Sequence, residues 1–338
     1  MPEAFLLLPR EEQADILNAL APVLGRAPEV LEKDVWVCWV LEHLFTMPER
    51  GELVFKGGTS LSKAYRVIER FSEDVDVTLD FRGHKSEFDP FATGTSKTRQ
   101  RAFSDELKAR VTTFVSDVAA PRLNAALRAV MGEEGYLETD LDGETLRLYY
   151  PRAIATGAGY HLDHVLIEFG GRNVTDPSEE VVIAPDITGY LPELTFPTAT
   201  VRVLSPRRTF WEKATLIHVE CNRGRLRAGA ERLSRHWYDL VKLAASEHGE
   251  GALADREVLT DVVKHKQIFY NASYAKYDDC LVGNLRLVPG PDDLAGLEAD
   301  YKAMVASGMF YAETMAFADL LLALRDLEAR INSQGQQR

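Results

Sequence analysis

The stretch Phe55–Asp80, FKGGTSLSKAYRVIERFSEDVDVTLD, decides how this chain reads. A double glycine, Gly57-Gly58, is followed by the hydroxyls of Thr59 and Ser60, and Asp74 stands 16 residues after Gly58 with Asp76 just beyond. Val75 and Val77 alternate with the aspartates. Alternation puts side chains i and i+2 on one face of a strand. Two carboxylates side by side repel each other, and a fold carries such a pair when a cation sits between them. Oxygen-only ligands favour Mg²⁺ (or Mn²⁺) in company with a phosphate. Glycines let backbone approach a phosphate, and the N–H groups that open the following helix bind it. The pattern predicts a short strand over Leu53–Phe55, a helix over Ser60–Ile68 and a strand over Val75–Phe81.

With KGGTSLSK followed by RFSEDVD, this segment resembles the first motif of the polymerase-β-like nucleotidyltransferase superfamily. More narrowly it resembles the AbiEii/AbiGii family of abortive-infection toxins, which includes the MenT toxins. The glycine-to-aspartate gap is longer than in many polymerase-β relatives, and the toxin family accommodates that. The resemblance implies an α+β fold: a mixed sheet with helices, followed by a C-terminal helical domain. It implies an enzyme that moves a nucleoside monophosphate from an NTP to an acceptor hydroxyl with release of pyrophosphate. Mg²⁺ or Mn²⁺ would be held by Asp74 and Asp76. Lys56, Gly57, Gly58, Thr59, Ser60, Lys63 and Ser72 would bind the nucleotide. The family further implies an RNA acceptor, foremost the 3′ end of tRNA, a role in phage defence, and a cognate antitoxin as partner.

Polymerase-type chemistry uses three acids to hold two metals. Glu168, in Val165-Leu166-Ile167-Glu168-Phe169, is a lone charge in an apolar strand, which is costly to bury without a partner. It is the first candidate for the third acid and for activating the acceptor. The other reading is an edge strand with Glu168 in water. Asp163, ahead of the strand between His161 and His164, is the second candidate.

Lys213, in Thr209-Phe210-Trp211-Glu212-Lys213-Ala214, is similar to a second motif of the toxin family, whose lysine reaches the triphosphate. A triphosphate carries more negative charge than metals neutralise, so a cation must hold its tail. Asp239, in Arg235-His236-Trp237-Tyr238-Asp239-Leu240, is similar to the family's last motif. Arg235 and Asp239 are four apart and share a helix face. They form an ion pair, or Asp239 orients Lys213 or the nucleotide, and the two are compatible. His236 is given no catalytic role.

The 338 residues suit one large domain or two, and 46% are apolar. No apolar run approaches the roughly 20 residues that span a bilayer. The opening MPEAFLLLPREE lacks the features of a signal peptide. Cys38, Cys221 and Cys280 have no metal or disulfide spacing, so they read as reduced thiols in a cytoplasm. The net charge is −13, yet Arg202–His236 holds nine Lys/Arg against Glu212, Glu220 and Glu231, a local +6. Such concentration in an acidic chain predicts a phosphate-binding face. Arg207, Arg208, Arg223, Arg225, Arg227 and Arg235 are its candidate RNA contacts. The thinner run Lys97, Arg99, Arg101, Lys108 and Arg110 reads as a solvated helix face.

Elsewhere the pattern predicts helices over 10–24 and 29–47 and a loop over Gly83–Thr98. A long helix over Arg99–Val130 is interrupted at Pro121, and Asp142-Gly143 marks a hairpin. Strands are expected over His164–Phe169, Val181–Ala184 and Thr200–Leu204, with helices after Pro206. The implied division is a nucleotidyltransferase domain over 1–205, a helical domain over 206–332 that supplies Lys213 and Asp239, and a frayed tail over 333–338. Rival readings are the same fold acting on a protein hydroxyl or a small molecule, and a non-catalytic nucleotide-binding module. The basic segment speaks against a small acceptor. The crowded carboxylates and Lys213 speak against mere binding.

Overall fold

The apolar alternation around Asp76 forms the middle of a seven-stranded mixed sheet in the computed structural model, which describes residues 3–83, 88–155, 162–226 and 232–335. In chain order the strands are β1 (Glu3–Ala4), β2 (Leu53–Lys56), β3 (Val75–Leu79), β4 (Tyr136–Thr139), β5 (Thr145–Tyr149), β6 (Val165–Gly170), β7 (Ser178–Ile183), β8 (Leu194–Thr195) and β9 (Ala199–Leu204). The large sheet runs β4-β5-β6-β3-β2-β9-β7, while β1 and β8 form a separate parallel pair. Central β3 is antiparallel to β2 and parallel to β6. Its inner valines, Val75 and Val77, are fully buried, as are Leu53 and Phe55 beside them.

Helices α2 (Pro28–Thr46) and α5 (Ala120–Met131) pack on this sheet, and α1 (Arg10–Leu24) packs on α2. α2 packs against β9, β3 and β6, and Pro28 at its first turn suits a position where no N–H is required. Trp36 and Trp39 are buried on it, and Trp36 stacks on Tyr150 with ring centroids 4.8 Å apart. The predicted helix at Ser60–Ile68 is instead α3 (Gly57–Lys63), shifted toward the glycines. Gly57, at φ 82°, turns the chain directly from β2 into the helix. A positive φ at Arg66 prevents its continuation. α4 (Lys97–Phe114) runs into α5 through one π turn at Val115–Ala119. That wider turn absorbs the N–H missing at Pro121. β7 begins at Ser178, ahead of the expected Val181, because it pairs along the whole of β9.

The chain divides into two units. One gathers Met1–Arg66, Arg70–Ser86 and Ser104–Leu204; the other gathers Val67–Glu69, Glu87–Phe103 and Ser205–Arg338. A single cut near 205 therefore misassigns two short segments that cluster with the helices. The helical unit contains α6 (Pro206–Asn222), α7 (Arg235–Ala244), α8 (Glu247–Ala254), α9 (Arg256–Phe269), α10 (Pro291–Ala306) and α11 (Phe317–Gly335). α6 is its axis, packed by α7, α8 and α9. Ser205 caps α6 by accepting from the Arg207 N–H at 3.3 Å, with Pro206 at the first helical position. Buried Trp211 and Trp237 donate their indole N–H groups to the carbonyls of Ala252 and Leu287, at 3.1 and 2.8 Å. α11 continues through Ser333 to Gly335, where fraying was expected. Among the described residues no helix is long and apolar enough to cross a membrane.

Candidate active site

The glycine turn and the first aspartates meet at a contact that leaves no room for a side chain. A Cβ built on Gly57 lies 2.0 Å from Asp76 Oδ2 and 2.8 Å from its Cγ. Only glycine fits there, for its positive φ and for the carboxylate pressed against it. Thr59 Oγ1 donates to the backbone carbonyl of Asp74 and lies 2.9 Å from Ser72 Oγ. The first turn of α3 is thereby stitched to the residues leading into β3. Asp74 is buried just before the strand, and Asp76 is half-buried on it.

Thr59, Ser60 and Ser72 shape the turn with their side chains. All three are buried, and Ser60 Oγ donates to the Gly57 carbonyl at 2.9 Å. What the turn presents is the partly exposed backbone of Gly57 and Gly58. Lys63, expected on the nucleotide, is a correction. Its ammonium lies 2.7 Å from Asp34 Oδ1 and 2.9 Å from Asp186 Oδ1, with only 7% of the side chain exposed. Two carboxylates already neutralise it inside the fold, so it ties the end of α3 to α2 and to the segment after β7.

Register places Lys56, Asp76 and Glu168 in one row across β2, β3 and β6. Directly paired residues share a face. Glu168 is exposed at the position beside Asp76, on an interior strand of the sheet. The strand is therefore not at an edge, but Glu168 is exposed as that alternative expected, so the cost of burying a lone charge does not arise. Asp163 lies ahead of β6, its side chain 74% exposed and 2.7 Å from His164 Nδ1, which holds its carboxyl below the usual range. Among the described residues, no three His, Cys, Asp or Glu side chains are gathered as a ready ion cage. Mg²⁺ sites in phosphoryl chemistry characteristically use one or two carboxylates and complete their shell with water and phosphate oxygens. The hard-oxygen pair Asp74 and Asp76 fits that pattern.

In the helical unit, Lys213 on α6 donates to Asp239 Oδ2 on α7 at 2.9 Å, and Lys213 Nζ is 3.4 Å from His236 Nδ1. Lys213 is 7% exposed and Asp239 not at all. The structure forms the pair of Asp239 with the lysine. His236, given no role from sequence, is part of the same cluster. No spacing rule would have found it, because it depends on how α6 and α7 pack.

The basic segment is not one face. Arg202 belongs to the sheet, where it bonds Ser178 at 2.8 Å, Asp176 at 3.1 Å and Glu52. Arg208 is a correction: it is 2% exposed, 2.7 Å from Asp261 and 3.3 Å from Glu212, so its charge is satisfied internally. Arg207, Arg223 and Arg225 are exposed and Arg235 is half-buried. Arg223 lies 3.3 Å from Glu220 and over the Tyr274 ring at 4.7 Å. Arg227 and His161 lie outside the described residues.

Sequence reasoning also missed Glu32, Lys33 and Asp34, three consecutive buried charges on α2. A run of buried charges is itself a signal, because each must find a partner.

A family model described as nucleotidyl transferase AbiEii toxin, type IV TA system, matches residues 39–323. Among solved structures, the nucleotidyltransferase toxin MenT4 from Mycobacterium tuberculosis H37Rv is similar, with a TM-score of 0.52 at 18% identity. The likeness covers 95% of this chain and 92% of that one. No curated protein matches in sequence.

Proposed function

Because the chain belongs to the AbiEii nucleotidyl transferase toxin family of type IV toxin–antitoxin systems, we propose that it transfers a nucleoside monophosphate from an NTP to an RNA hydroxyl, with the 3′ end of tRNA as acceptor. The observation that carries this is the Asp76 carboxylate seated where a Gly57 side chain would stand. A phosphate approaching the glycine turn would meet bare backbone and the Asp76 carboxylate at once.

Asp74 and Asp76 would hold a divalent cation, Mg²⁺ in the cell. When bound, it neutralises phosphate charge and polarises the attacked phosphorus. Gly57 and Gly58 receive the phosphates by backbone N–H groups. Lys56, in the same row as Asp76, adds a positive charge on that face. Glu168, exposed beside Asp76, takes the proton of the attacking hydroxyl and is favoured over Asp163 by its register. In the helical unit, Lys213, its ammonium held by Asp239 and near His236, is the cation that the family resemblance implies for a triphosphate tail. Arg207, Arg223, Arg225 and Arg235 are the RNA contacts this reading retains. The type IV family implies an antitoxin partner.

The test is to incubate the full chain with each labelled NTP, total RNA and Mg²⁺, Mn²⁺ or EDTA. Label in tRNA that needs the metal and vanishes with Asp76→Asn is expected. Label in protein would transfer the reading to a protein acceptor. Label in neither would remove the RNA acceptor.

A further inference from the structure

α2 carries a buried cation whose position bears on the aspartates. Lys33, 3% exposed, donates to Glu73 Oε2 at 2.5 Å and to the Leu162 carbonyl at 2.8 Å. The Leu162 N–H returns a hydrogen bond to the same Glu73 oxygen at 3.1 Å. Glu73 is completely buried. Burial works against the charge on Lys33, and Glu73 and Asp74 both act to retain it. Three segments close on one ammonium: α2, the residue preceding Asp74, and the residue that leads through Asp163 into β6.

This arrangement is oriented toward the site. Glu73 and Asp74 share a peptide bond, so anchoring the Glu73 side chain fixes where the Asp74 carboxylate emerges. Leu162 is six residues before Glu168, so its two bonds set the entry of the strand that stands beside Asp76. On the other flank, neighbouring Asp34 holds Lys63 at the end of α3. One helix thus anchors the end of α3 and the approaches to both acidic strands.

Resting on the reading that Asp74 and Asp76 bind the divalent cation, we propose that Lys33 and Glu73 are positioning residues for that site: their buried ion pair sets the geometry of Asp74 and hence metal affinity. Neither touches substrate. Loss of groups that orient metal ligands typically weakens metal binding by about 10–100-fold.

The test uses the full chain and Mn²⁺ alone, with binding followed by electron paramagnetic resonance and folding by circular dichroism. Lys33→Met/Glu73→Met exchanges the buried pair for apolar side chains, which folds more readily than a chain left with one buried charge. A folded double variant with near-wild-type Tm, Mn²⁺ affinity weakened by about tenfold or more, and a transfer defect in kcat rather than in KM for NTP is expected. Lys33→Arg keeps charge and donors and should retain most of the affinity. A folded double variant with wild-type Mn²⁺ affinity overturns the inference and leaves the pair as stability alone. If the double variant does not fold, Glu73→Gln and Lys33→Arg are compared. Weaker Mn²⁺ binding by Glu73→Gln supports the inference, and wild-type affinity in both overturns it. Wild-type protein whose Mn²⁺ binding is absent, or unaffected by Asp76→Asn, would instead remove the metal assignment, and this inference with it.

Discussion

The Lys213 ammonium donates to Asp239 Oδ2 at 2.9 Å from a site where Asp239 is fully buried. A buried pair of this kind behaves asymmetrically. Removing one partner strands the other, whereas removing both is often tolerated. Lys213→Ala or Asp239→Ala should each lower stability by about 3–5 kcal/mol, with a smaller loss in Lys213→Met/Asp239→Leu. Urea unfolding of the full chain measures this. Equal, additive losses would mean the two charges do not support each other. Lys213→Met/Asp239→Leu, folded yet inactive, would separate chemistry from folding.

Gly57→Ala should be among the most damaging single-methyl changes in the chain. The added carbon would sit 2.0 Å from Asp76 Oδ2 at a φ that L-residues rarely adopt. The expected result is a stability loss of about 1–3 kcal/mol from backbone strain and transfer reduced by orders of magnitude as Asp76 is displaced. Gly25→Ala is the control. Its φ is also positive, at 63°, but nothing lies within 4 Å of the new carbon. It should lose stability and keep activity per folded molecule. Comparable specific activity in both variants would count against Asp76 as part of the site.

Glu32 predicts a pH dependence of stability. Burial raises its carboxyl from the usual range to about 7, opposed by hydrogen bonds from the Ala153 and Ile154 N–H groups at 2.6 and 3.4 Å. In the folded chain it holds a proton that the unfolded chain releases near 4.5. Stability from this group is thus complete below about 4.5, falls as pH rises toward 7 and is flat above. Glu32→Gln should flatten that decline and gain up to about 3 kcal/mol at pH 8 relative to wild type. Thermal unfolding from pH 5 to 8 reads it out. Parallel pH profiles would show that Glu32 is not the group concerned.

Neutralising Arg223 and Arg225 tests the RNA face. Both are exposed, whereas Arg208 is buried and paired. Arg223→Ala/Arg225→Ala should weaken tRNA binding and reduce the slope of log K against log salt by roughly 1.4–1.8, as two phosphate contacts are lost. NTP binding should be unaffected. Filter binding at several salt concentrations makes the measurement. An unchanged slope would place the acceptor elsewhere.

Local order carried much of this fold. Gly57-Gly58, the valines flanking Asp76, Asp142-Gly143 and Pro206 act through backbone freedom, two-residue alternation and turn geometry, all of which are written in neighbouring residues. These are enough for the central strands, the hairpin and the start of α6. Partnership between distant residues is not written there. Lys63 looked like a phosphate ligand until Asp34 and Asp186 closed on it. Arg208 looked like an RNA contact until Asp261 took its charge. Glu168 was a candidate from the sequence, but its place beside Asp76 came only with the register of β6 on β3. A charge has no role until its surroundings fix its solvation and its partner. For a residue whose partner is more than a hundred positions away, as Lys63 is from Asp186, only the tertiary fold makes that choice.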